Sequence, residues 1–116
     1  MYTVISRTIE DNPQLSSLVK RANQLLEEIL GPQAGSATAN WYEEIRDPGR
    51  FHFVTLNLSD STGASAATPF TPGDLTREDY LRARFHRVWG DLLQERSHRQ
   101  LDLLSGKIDV PEVPLK

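Results

Sequence analysis

The chain predicts a single α+β domain: an antiparallel sheet of three or four strands packed on one face by two helices, in the order (β)-α-β-β-β-α. Three observations predict it. Apolar residues recur at three- and four-residue spacing through residues 13–30. Two β-leaning runs flank Asp47-Pro48-Gly49, a turn signal. A second helical stripe begins near Thr76.

Residues 2–9 are rich in β-branched side chains and suit a short strand. Asp11-Asn12-Pro13 reads as a helix start: Asn12 can accept from a free backbone N–H, and Pro13 suits the first helical position. Leu15, Leu18, Val19, Ala22, Leu25, Leu26, Ile29 and Leu30 form the apolar stripe, with Lys20, Arg21, Asn23, Gln24, Glu27 and Glu28 on the polar side. Gly31-Pro32 ends this helix. Residues 39–45 and 51–58 then form a hairpin. In its second strand His52, Val54, Leu56 and Leu58 should face the core, and Phe51, Phe53, Thr55 and Asn57 the other side.

Ser59-Asp60-Ser61-Thr62-Gly63 is a further turn, and Ala64 to Phe70 returns as a third strand. Thr76, with Asp79 three residues on, should cap a helix of about 28 residues, or roughly 42 Å, running to Leu104. Leu81, Phe85, Val88 and Leu92 form its seam. Trp89 and Leu93 widen that seam, and Leu101 and Leu104 resume it beyond the charged run 94–100. Gly90 lowers local helix stability by about 1 kcal/mol, which suggests close approach of another backbone or a kink. Residues 1–106 are assigned to the domain and residues 107–116 to an extended, proline-containing tail.

Composition excludes several functions. With no cysteine, disulfides, thiolate metal sites and thiol nucleophiles are absent. A net charge of −3 weighs against a dedicated nucleic-acid binder. No signal peptide and no run of 18 apolar residues is seen, so a cytoplasmic protein without a membrane span is expected.

Three constellations invite chemistry. Asp91, Glu95, His98 and Asp102 share a helix stripe, but a di-metal bundle needs further ligands from neighbouring helices, and the first helix offers only Glu27 and Glu28. No metal or other cofactor is expected. The 59–63 turn with His52 holds hydroxyls, a carboxylate and an imidazole, yet there is no Gly-x-Ser-x-Gly elbow and no glycine-rich phosphate loop. Arg46, Arg50, Arg82, Arg84 and Arg87 are candidate phosphate contacts.

The order helix, three strands, helix over residues 13–104 resembles the double-stranded-RNA-binding domain, which reads duplex RNA by shape. That family places a lysine-rich stretch at the start of its second helix; here the place reads Thr76-Arg77-Glu78-Asp79. The leading expectation is therefore a non-catalytic protein–protein interaction module or small assembly subunit. Its partner is a second copy or another protein, met at Trp89, Leu93, Leu101, Leu104, Phe51 and Phe53. A nucleic-acid-binding domain comes second. A small enzyme without a recognisable motif comes third.

Overall fold

A computed structural model describes residues 1–46, 49 and 51–104, with the side chains of Phe51 and Leu103 outside that description. The expected tail 107–116 also lies outside the described residues. The chain is α+β. It runs β1 (Tyr2–Ile5), α1 (Arg7–Glu10), α2 (Pro13–Leu30), β2 (Thr38–Arg46), β3 (Phe51–Ser59), β4 (Ser65–Phe70) and α3 (Glu78–Leu104). Short 3-10 turns fill Gly31–Ala34 and Asp74–Thr76.

The four strands make one sheet in the order β1-β2-β3-β4. The expected antiparallel sheet is corrected here: β2, β3 and β4 pair antiparallel, but β1 pairs parallel with β2, so the sheet is mixed. The cause is the connection. A tight hairpin reverses the chain, whereas the helical crossover between β1 and β2 returns it to the end where it began.

Local signals set the helix ends. Asn12 Oδ1 accepts from the Leu15 N–H at 3.1 Å, with Pro13 opening α2. Gly31 closes it at φ 56°, a left-handed value that costs a residue without Cβ little. The predicted Thr76 cap gives way to a box one turn earlier. The Thr71 N–H donates to Asp74 Oδ2 at 3.0 Å, and the Asp74 N–H donates to Thr71 Oγ1 at 3.1 Å. Thr76 sits inside the resulting 3-10 turn and donates its hydroxyl to the Gly73 carbonyl. α3 accordingly starts at Glu78.

The core is one cluster. Ala39 and Trp41 of β2, Val54, Leu56 and Leu58 of β3 and Phe70 of β4 join the buried stripes of α2 and α3. His52, expected to share that inner row, is exposed and bonds to Glu43 instead. The β2–β3 hairpin extends past the last β4 pair, Val54 with Phe70, so among the described residues its far end has no strand beside it on that flank. Trp41 lies at the centre, fully buried, tilted against Phe70 at 6.1 Å and edge-on to Phe85 at 6.2 Å.

Asn23 departs from its expected place on the polar side of α2. It is buried, its Oδ1 accepts from Trp41 Nε1–H at 3.0 Å, and its Nδ2 donates to Thr3 Oγ1 at 3.1 Å. Removing it leaves the indole N–H buried without a partner. Asn23→Ala should destabilise the fold by about 2 kcal/mol, while Asn40→Ala, on an exposed position of β2, should stay within about 0.5 kcal/mol of the parent. Urea unfolding followed by circular dichroism measures both.

Candidate protein interface

The distal half of α3 divides into two faces. At about 100° per residue, Leu101 lies nine residues, or half a turn net, from Leu92. It therefore cannot extend the seam of Leu81, Phe85, Val88 and Leu92, all of which are buried. Leu93, Leu101 and Leu104 are instead exposed by 38%, 61% and 84%. They fall on one narrow arc turned away from the core. Trp89 does not join them: it is buried, and the Arg96 guanidinium lies 5.8 Å from its ring.

Arg96 also fixes this half of the helix in place. Its Nε donates to Asp60 Oδ2 at 2.6 Å, across from the β3–β4 turn. Asp60 Oδ1 accepts from the Thr62 backbone N–H at 2.9 Å and from the Thr62 hydroxyl. The Asp60 side chain is 1% exposed, against 30% for Arg96. Burial alone would raise the Asp60 pKa; the Thr62 hydroxyl, the Arg96 guanidinium and the Thr62 N–H outweigh it and hold the carboxyl below its ordinary value. Around the clasp, Gln33, Ser36, Ser61 and Gln100 line an open polar depression of about 300 Å³. In the sequence Asp60 is one residue of the Ser59-Asp60-Ser61-Thr62-Gly63 turn. Its buried acid–arginine pair, 36 residues apart in sequence, carries no local signal.

The candidate phosphate contacts are dispersed. Arg82 pairs with Glu78 at 3.1 Å, and both border a depression of about 200 Å³ between α2 and α3. Arg84 donates twice to Thr68 Oγ1 and lies 5.9 Å from the Tyr80 ring. It shares a depression of about 190 Å³ with Arg87 and Asp91, beside β4. Arg46 pairs with Glu44 at 3.2 Å and sits 5.3 Å from the Phe53 ring. Arg50 lies outside the described residues.

Within the acid–histidine stripe, Glu95 pairs with Arg99 at 3.6 Å, and His98 Nε2 lies 3.8 Å from Asp102 Oδ2. Among the described residues no group of three or more His, Asp or Glu side chains is placed to hold a metal ion. His52 and the 59–63 turn stand at opposite ends of β3, some seven residues or roughly 23 Å apart, so they cannot share one reaction.

Phe53 lies on the side of β3 opposite the core row, half-buried, across from Glu44. The Thr55 hydroxyl donates to Glu44 Oε1 at 2.6 Å. That bond, outweighing a small burial effect and aided by Arg46, lowers the Glu44 pKa. Phe51 occupies the first position of β3, with its side chain outside the described set.

Among the described residues no helix is long and apolar enough to cross a membrane. No protein-family model, curated protein or solved structure matches the chain.

The clasp has a pH signature. Asp60 is depressed in the folded state, so its contribution is fully present above the unfolded carboxyl value of about 3.9 and is lost as pH falls through the folded value. Asp60→Asn should cost about 2 kcal/mol at neutral pH. The gap between variant and parent should close under acid. Chemical denaturation at a series of pH values reads the difference.

Proposed function

We propose that this protein is a non-catalytic association module, a homodimer or the repeating subunit of a small assembly, whose contact surface is the distal half of α3. The observation that carries this reading is the exposure of Leu93, Leu101 and Leu104 on one arc of a helix already fixed by the Arg96–Asp60 clasp. Three leucines held on a fixed helix lose little entropy when covered, and covering what remains exposed contributes most at Leu104, where full burial is worth about 1.5–3 kcal/mol, and least at Leu93.

Two finer points belong to this reading. Both helices pack on the same face of the sheet, because their buried stripes share one cluster with the same sheet residues. The opposite face, with Tyr42 and Phe53, is a secondary surface. The setting is cytosolic, in keeping with a chain that has no cysteine to oxidise.

Light scattering on size-exclusion fractions, from low micromolar to millimolar protein, tests the proposal. The parent chain should gain mass with concentration. A variant carrying Leu101→Glu and Leu104→Glu should remain monomeric, while its unfolding at dilute concentration stays within about 0.5 kcal/mol of the parent. A parent that stays monomeric at millimolar concentration refutes the reading.

A further inference from the structure

The exposed stripe of α3 has an internal symmetry. Gly90, Leu93, Gln94, Ser97, Gln100, Leu101 and Leu104 stand at −7, −4, −3, 0, +3, +4 and +7 from Ser97. The residues at −4 and +4 are both leucine and those at −3 and +3 both glutamine. In a two-fold contact residue i meets j while j meets i, so about Ser97 leucine would meet leucine and glutamine would meet glutamine. The central Ser97 is small and exposed. Within the stripe itself the leucines are accompanied by Gln94 and Gln100, so these positions place no like charges against each other when two copies meet.

Gly90 supplies a second, independent observation. A Cβ built on it would meet nothing within 4 Å, so among the described residues no part of its own chain explains a glycine inside this helix. Its symmetry counterpart is Leu104, at 84% the most exposed large hydrophobic among the described residues. A missing side chain thus stands opposite an uncovered large one.

We infer that two copies of this chain pair through α3 in antiparallel fashion, with the two-fold axis at Ser97, Leu93 of each copy against Leu101 of the other, and Leu104 seated over the bare backbone at Gly90. This rests on the association reading above and adds the occupant and the register. The contact spans fifteen residues from Gly90 to Leu104, about 21 Å of helix. It falls at the small end of specific interfaces, below about 1,200 Å² in total, so the pairing is weak and micromolar.

The cysteine-free chain allows a clean test. Ser97→Cys should form a disulfide-linked dimer under mild oxidation, because residues on the axis approach their own copies. Glu95→Cys, on the side of the helix turned away from the stripe, should not. Leu93→Lys alone should weaken association about tenfold or more, and Leu93→Lys with Leu101→Glu in the same chain should restore it, since each lysine then faces a glutamate. Gly90→Leu should raise the melting temperature of the dilute monomer, by improved helix propensity, and yet abolish association. A purely structural role for Gly90 would not separate those two readouts. A parent that associates while Ser97→Cys links no faster than Glu95→Cys, or while the charge swap fails to restore pairing, overturns the register and leaves the association reading standing. A parent that never associates overturns both.

Discussion

The Asn23 side chain is the joint on which the fold depends. One amide group serves three elements: it accepts from Trp41 of β2, donates to Thr3 of β1, and belongs to α2. In a low-dielectric core these bonds matter less for their net contribution than for what their loss would leave behind, an indole N–H shut away from water. The joint also fixes geometry. Trp41 must sit at the depth where its N–H reaches Asn23, and that depth brings its ring onto Phe70 and Phe85. β1 must present Thr3 inward, and a slip by one residue would turn Thr3 to the other side of the sheet. Parallel pairing of a four-residue edge strand is a weak contact by itself; the amide bridge gives it a fixed register.

Sequence patterns revealed the parts governed by local rules. The stripe of α2, its Asn12-Pro13 entry and its Gly31-Pro32 exit follow from helix periodicity and capping, and the structure reproduces them. The β2–β3 hairpin and β4 follow from alternation and turn residues. Pro69, which has no N–H to give, fits because β4 is an edge strand. What periodicity could not supply was the direction of β1, since that depends on where a crossover brings the chain back. It also could not find Asn23: a polar residue on a helix reads as solvated unless its distant partner is known. Thr71 and Asp74 carried the same capping signature as Thr76 and Asp79, and only tertiary placement decided between them.

The distal half of α3 teaches a different lesson about the surface. The sequence places Leu93, Leu101 and Leu104 at a partner contact, and the nine-residue step from Leu92 to Leu101 sets Leu101 half a turn from the core seam. The arginines show the reverse. Their abundance suggested a patch, but a patch requires that neighbours point together. Arg82 and Arg84 are separated by about 200° around the helix axis, and each is taken up by a nearby oxygen.

The parallel pairing of β1 with β2 has a consequence for the order in which the chain assembles. Tyr2 is matched with Thr38, and between them lie α1 and all of α2. On the ribosome β1 emerges well before its neighbour β2 exists. Through the synthesis of some thirty-five further residues it has no ladder to join, and the loop it must close carries an entropy cost that local contacts do not meet. α2 can form meanwhile from its own caps and stripe, and it then shortens the distance β1 has to bridge. β1, made before the other three strands of this sheet, is thus among the last to be secured. During that interval an unpaired edge, with Tyr2 and Val4 outward, is open to strands of other nascent chains.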